Sequence, residues 1–183
     1  GFNMAVNSKP LADYLGVTER VAVQAPRVFA PAFDEASMRE AAAKRSAQKG
    51  PVRVFFYARP SQARNLYGVG LAAIRIAAEH LKGTAWQLIS AGQDDVEVHV
   101  DGVSVRALGR TTYSEYLALL PQIDVGLSLM MSPHPSHPPL ELAMAGAEVV
   151  TNDFPGTDRS TYHSRISCTP PDPEQLGLSL IHI

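Results

Sequence analysis

Residues 124–153, DVGLSLMMSPHPSHPPLELAMAGAEVVTND, restrict the possible folds more than any other part of the chain. The apolar run 125–131 is long enough for a buried strand and too short for a typical helix. A loop rich in proline and histidine follows at 132–139, then an apolar segment with one acid, 140–145, and after Gly146 a second apolar run, 147–151. Pro138 and Pro139 suit a first helical turn, where a missing N–H is tolerated, and Gly146 suits its stop. Strand, loop, helix and strand in that order predict a parallel pair joined by a crossover helix. Ligands of open α/β sheets bind at the carboxyl ends of the strands. The loop after Met131 is therefore the expected ligand loop, with Glu141 in the first turn of the helix beside it.

Such a carboxylate has two readings. It complements the helix macrodipole, as acids in first turns commonly do. Alternatively it hydrogen-bonds paired hydroxyls such as those of a ribose, while the amides of Leu140 and Glu141 receive phosphate. The stretch PPLELAMAGAEVVTND is similar to the signature P-L-E-A-M-A-x-G-x-P-V-V of glycosyltransferase family 4, found in the C-terminal, nucleotide-sugar-binding domain of the GT-B fold. That resemblance implies the second reading, because the family's ribose-binding glutamate falls on Glu141. There is also a departure. Where the family commonly carries an earlier glutamate followed by glycine, this chain has Pro133 and His134. The replacement SPHPSHPPLE closely resembles the S-P-H-P-S-x-P-P-L-E stretch of the WsaF-like rhamnosyltransferases of bacterial surface-polysaccharide assembly. The resemblance implies dTDP-rhamnose as donor substrate. As a residue of the ligand loop, His134 is expected to donate a hydrogen bond to the donor's phosphate or sugar, with Pro135 of that loop and Leu140 at the helix start as further donor-binding residues. His137 stands where that subgroup often has an aromatic residue, so packing or exposure is its expected role.

Upstream, 52–58 (VRVFFYA) predicts a largely buried strand of β-branched and aromatic residues. Arg59-Pro60 and Arg64-Asn65 follow before a helical stretch, 67–81. Two arginines between a strand and a helix suit a diphosphate, since guanidinium groups bind phosphate oxygens with charge-assisted, often bidentate bonds; solvated loop arginines are the alternative. FFYARPSQARNLYGVGLAAI resembles the family's opening strand, Y-x-R-P…R-N, which implies that Arg59, Arg64 and Asn65 face the donor's pyrophosphate. Tyr57 is assigned to the sheet rather than the site. The glycines at 68 and 70 lack the spacing of a dinucleotide fingerprint and fall inside a helix, where they are expected to permit close packing on the sheet.

Strand and helix candidates then alternate. Residues 86–91 predict a strand, and 97–100 and 103–108 predict two short strands around the Asp101-Gly102 turn, a hairpin signal. A helix is expected at 113–120, with Leu117, Leu119, Leu120 and Ile123 in the core and Asp124 at a strand start. In the resembling family, backbone after the corresponding L-G faces the nucleobase, which implies a base pocket at Gly109 and Arg110; a plain loop is the alternative.

The ends suggest a fragment. Residue 1 is glycine, and 5–17 resembles the last strand and helix of a preceding domain. Asn7, Ser8 and Lys9 either line an interdomain cleft or cap a helix start. Residues 28–33, with Pro31 restricting its course, resemble an interdomain linker, and 34–48 is an alanine-rich, charged, solvated helical lead-in. A short strand is expected at 165–168 and a helix from Pro173. The terminal LSLIHI resembles a translated sequencing-adaptor scar and is set aside from the fold. The expected organisation is thus 1–35 as tail of an acceptor domain plus linker, 36–177 as a truncated Rossmann-like nucleotide-sugar domain, and 178–183 as a non-native tail.

A chain of 183 residues, 45% hydrophobic, can bury one core, and a net charge of −2 makes no case for nucleic acid or an anionic membrane. One cysteine excludes an intrachain disulfide and suits a reducing compartment. No run approaches transmembrane length, so the expected setting is the cytoplasm, with room for peripheral association at the inner face of the membrane. His134 and His137 could share a metal, but no third ligand stands at comparable spacing, so neither metal nor cofactor is expected beyond the donor. The expectation is an α/β fold, a Rossmann-like parallel sheet with flanking helices forming the C-terminal half of a GT-B glycosyltransferase. It would bind a nucleotide sugar and meet its glycan acceptor through the preceding domain. The rival readings are a nucleotide-sugar epimerase of the same architecture and a non-catalytic α/β binding or interaction module.

Overall fold

In a computed structural model, residues 5–6, 8–18, 27–28, 33–46 and 50–183 are described. Ala5–Val6 (β1) pairs in parallel with Arg27–Val28 (β2), and Lys9–Thr18 (α1) lies between them in sequence. Glu35–Ala43 is α2, Val52–Tyr57 β3, Tyr67–His80 α3 and Trp86–Ala91 β4. Ser104–Ala107 is β5, Tyr113–Leu119 α4, Val125–Leu127 β6 and His137–Met144 α5. Glu148–Asn152 is β7, Ile166–Thr169 β8 and Pro173–Ile181 α6.

The main sheet has six strands in the order β5-β4-β3-β6-β7-β8, every pairing parallel. From β3 the chain steps outward through β4 and β5, then returns to the other flank of β3 as β6 and steps outward again. The reversal between β3 and β6 is a topological switch point, the place where such sheets open a crevice at their carboxyl ends. Both faces are covered, as an all-parallel sheet requires. Val54 and Phe56 of β3 pack with Ala73, Ile74, Leu176 and Leu180 of α3 and α6. Phe55, on the opposite face, packs with Met38, Leu119 and Leu142 of α2, α4 and α5. This is the Rossmann-like α/β fold the sequence led us to expect.

Several local expectations change. Residues 97–100 form no strand, so there is no hairpin. The Asp101-Gly102 turn does form, with the Val103 amide donating to Val100 O at 3.2 Å, but Val98 and Val100 are buried in the core and only β5 pairs, in parallel with β4. The lead-in helix α2 is not merely solvated: Met38 and Ala41 are buried, and Arg45 just beyond it bonds Asp124 Oδ1 at 3.0 Å and the Ile123 carbonyl. Asp124 Oδ2 in turn accepts the Arg53 amide at 2.9 Å, so the expected strand-start residue ties three segments together. The tail set aside at 178–183 is helical through Ile181, with Leu180 buried against α3, because an apolar residue four places after Leu176 falls on the same helix face. Gly70 permits the close packing expected of it, since a Cβ there would lie 2.6 Å from the Phe56 ring, whereas Gly68 faces open space. Asn7 and most of the linker, 29–32, lie outside the described residues, as do 47–49.

Candidate functional site

A cavity of about 460 Å³ opens at the carboxyl ends of β3 and β4, walled by the starts of α4 and α5. Strand alternation puts Tyr57 on the same face as Phe55, so its ring both ends the strand and forms a wall of the cavity. The division between sheet and site expected for Tyr57 does not hold. Arg59, directly after the strand, donates from Nη1 to the Tyr57 hydroxyl at 3.2 Å and sits 5.9 Å from the ring centroid. Gly92 makes room for it. Its φ is +130°, and a Cβ there would lie 2.8 Å from Arg59 Cγ and 3.0 Å from Ala58 O. The Gly92 amide donates to Gly109 O at 2.8 Å, and Asp94 Oδ1 accepts the Arg110 amide at 2.7 Å. Backbone around Gly109 is thus pinned to the end of β4 while the Arg110 side chain lines the cavity.

The α4 wall is set by a capping box: Thr112 Oγ1 accepts the Glu115 amide, and Glu115 Oε2 accepts the Thr112 amide at 2.7 Å. Tyr113 and Tyr116, one turn apart, face the cavity. The Tyr116 hydroxyl is buried without a hydrogen bond of normal geometry, and burial followed by the neighbouring Glu141 charge holds its pKa well above the usual tyrosine value.

Helix α5 begins at His137, so Glu141 lies beyond the first turn rather than within it. The macrodipole reading loses its footing, because that effect fades after the first turn. The amides of Leu140 and Glu141 also lie past the unsatisfied helix-start positions. Pro138 and Pro139 carry no N–H, and the Ser136 amide already donates to His134 Nδ1 at 3.2 Å, leaving His137 as the one unclaimed first-turn donor. This helix start is a poor phosphate cradle. Glu141 is half-buried in the cavity wall, and burial raises its pKa, opposed by Tyr116 and His137.

Of the residues expected at the site, Arg59, Arg110 and Glu141 converge on the cavity. His134, Arg64, Asn65, Pro135, Leu140 and Gly109 do not line it. Asn65 is 2% exposed, and its Nδ2 donates to Leu129 O at 3.2 Å, which makes it a tie beneath the loop rather than an open ligand group. Pro135 is buried, Leu140 half-buried and Arg64 exposed, with Arg64 O accepting the Met131 amide at 2.7 Å. His134 is part-buried beside the cavity, its ring centroid 6.1 Å from that of His137. Burial first, then His137, Arg64 and Arg159, lower its pKa. His137, expected only to pack or be exposed, both packs on Phe33 at 4.9 Å and lines the cavity. Ser8 does cap α1, accepting the Leu11 amide at 3.2 Å, and also donates to Pro133 O at 2.9 Å. Lys9 pairs with exposed Asp13.

Sequence reasoning missed Gly92, Thr112, Tyr113, Tyr116 and the fully buried Arg159. Only the capping box T-x-x-E announced itself locally; the others depend on what the fold brings near.

Comparison with known proteins identifies the family and the fold. The family model for the WsaF C-terminal domain matches residues 52–181. An O-antigen biosynthesis protein, RfbC, of Myxococcus xanthus is 38% identical over 136 residues, 74% of this chain and 10% of that protein. A glycosyltransferase from Rickettsia africae ESF-5 superposes with a TM-score of 0.75 at 10% identity, over 98% of this chain and 52% of that one. The sucrose-phosphate synthase of Thermosynechococcus elongatus gives 0.64 at 16% identity, covering 97% and 47%. The α,α-trehalose-phosphate synthase (UDP-forming) of Burkholderia vietnamiensis gives 0.65 at 12%, covering 97% and 52%. The chain therefore spans about half the length of these solved structures and about a tenth of the curated relative. The sheet and its helices match the C-terminal half of GT-B glycosyltransferases.

Proposed function

This chain belongs to the WsaF C-terminal domain family, and from that premise we propose that its cavity binds the nucleotide part of a sugar donor for glycosyl transfer in surface-polysaccharide assembly. dTDP-rhamnose is the donor favoured by the SPHPSHPPLE stretch. The observation that carries the proposal is the half-buried Glu141 carboxylate facing the same cavity as Arg59 and Arg110 at the carboxyl ends of β3 and β4. An acceptor-only group beside guanidinium donors complements a ligand with hydroxyls at one end and phosphates at the other.

In this reading the ribose hydroxyls donate to Glu141, and the base lies toward Arg110 and Tyr113. Arg59 meets the diphosphate, whose charge grows as the sugar–phosphate bond breaks, so a fixed guanidinium there favours the transition state. With the helix start poor in free amides, the arginines carry most of that task. Arg64 and His134 act from the rim, where the departing phosphate meets the loop. A base that activates the acceptor hydroxyl is assigned to another part of the full-length protein, which works in the cytoplasm at or near the inner face of the membrane.

Phosphate dependence tests the reading. In the full-length protein, Arg59→Ala and Arg64→Ala should weaken dTDP binding more than thymidine binding, measured by calorimetry, because only dTDP presents a diphosphate. The difference should shrink with added salt at these solvent-accessible side chains. Equal losses for both ligands would contradict a phosphate role.

A further inference from the structure

Arg159 is 0% exposed, and among the described residues no carboxylate forms an ion pair with it. Its charge is met by carbonyl oxygens instead. Nη1 donates to Asn152 O at 2.7 Å, and Nη2 to Met130 O, Ser132 O and His134 O at 3.1, 3.0 and 3.3 Å. Nε has no partner. Asn152, at the end of β7, grips the same place, with Oδ1 accepting the Met130 amide at 2.7 Å and Nδ2 donating to Met130 O at 3.2 Å. Only a planar fork of donors reaches carbonyls spread along such a curve; a lysine ammonium is one point on a flexible stem. Burying a guanidinium without an acid is unfavourable unless its hydrogen bonds are made, so the residue demands that Met130–Asn152 and the loop keep this path.

The path fixes an imidazole. The Ser136 amide can donate to His134 Nδ1 only if that nitrogen carries no proton, which leaves the proton of the neutral ring on Nε2. Ser136 itself holds φ +59°, a left-handed conformation disfavoured for serine, to make this bond. The charged and titratable groups that face His134 are His137 on α5, Arg64 before α3 and Arg159 after β7; each opposes a second proton on the ring, as does burial.

We propose that Arg159 is the positioning residue of the 132–136 loop: by holding its carbonyls it sets His134 as a neutral imidazole with Nδ1 turned inward to Ser136 and Nε2–H presented as a fixed hydrogen-bond donor. That the ligand receiving this donor is the diphosphate or sugar of a nucleotide sugar rests on the function proposed above; the positioning itself does not.

The test is histidine NMR on the full-length protein without ligand, joined to calorimetry with dTDP. In the unsubstituted protein the ¹⁵N shifts of His134 should report the Nε2–H tautomer; the Nδ1–H tautomer would overturn the proposal without any variant. Arg159→Met, which removes charge and fork together, should let both tautomers appear and raise the pH at which His134 titrates. Arg159→Lys, which keeps the charge and loses the fork, should relax the tautomer with less change in titration. An unaltered tautomer and titration in folded Arg159→Met protein would overturn the proposal. Binding of dTDP should weaken on the order of tenfold in Arg159→Met. If His134 responds as described and dTDP affinity does not change, the positioning role stands and the donor reading of the loop falls.

Discussion

At Glu141, burial and ligand chemistry pull in opposite directions. The unliganded protein holds this carboxyl above its usual pKa because it is half-buried, with Tyr116 and His137 opposing the shift. Hydroxyls that donate to the carboxylate favour its charged form, so a bound ribose should draw the pKa back down. Affinity for dTDP is therefore expected to rise with pH through the range in which Glu141 titrates and to level off above it. Glu141→Gln should abolish that slope and weaken binding by about 1.5–3 kcal/mol, the usual loss for hydrogen bonds to a charged group. Calorimetry across mildly acidic pH checks both; a pH-independent affinity in the unsubstituted protein would remove Glu141 from the ribose. Stability has a definite sign as well. Because the folded pKa is raised, the folded protein binds more protons in that interval, and stability falls as pH rises through it. Thermal melts of unliganded Glu141→Gln should then lie above those of the parent near neutral pH.

At the level of elements, the loop between β6 and α5 is expected to weaken in acid. His134 is held below its usual pKa, so between the folded and unfolded values the unfolded chain takes up the proton first and stability is lost as pH falls. Protonated Nδ1 can no longer accept the Ser136 amide, and hydrogen exchange of that amide, corrected for intrinsic rate, should lose protection as pH drops through the histidine range. Protection independent of pH would mean the bond does not hold the turn. Close packing of α3 on β3 gives a second expectation. Gly70→Ala gains about 1 kcal/mol of helix propensity and places a methyl 2.6 Å from the Phe56 ring, an overpacking that typically costs about 1–3 kcal/mol. Net destabilisation in a denaturant melt is the expected result. Elements differed in how plainly the sequence announced them. β3, β4 and α5 were legible because period, proline and glycine agree there. The supposed hairpin at 97–108 was not, because Val98 and Val100 alternate as strand residues do while serving the core. The terminal segment was set aside from the fold on its resemblance to an adaptor sequence, while the structure carries the helix period of α6 through Ile181.

For the whole molecule, the carboxyl ends of β3 and β4 and the starts of α4 and α5 gather residues far apart in sequence into one cavity, and this limits what can be read without the fold. Arg59 and Glu141 were visible because each lies in a local motif. Tyr116 and Gly92 were not, since nothing near them in sequence signals that α4 begins at the opening where β4 ends. Arg159 was hidden for the same reason, an arginine at the start of a short 3-10 turn whose partners lie at the end of β7 and in the loop after β6. Transfer demands more than a donor site. Residues 1–183 alone are expected to bind dTDP without transferring rhamnose, while the full-length protein transfers it from dTDP-rhamnose to a rhamnan-type acceptor, because reacting groups must be held together and water excluded. In that protein His134→Ala should lower turnover more than donor affinity; a steady-state assay separates the two, and an unaffected variant would reduce His134 to loop packing. The central claim, that the cavity at the carboxyl ends of β3 and β4 is the donor nucleotide site, is tested most directly by a crystal structure of the full-length protein with dTDP. The expected density puts the ribose hydroxyls on Glu141 and the diphosphate on Arg59; a nucleotide seated away from both would contradict it.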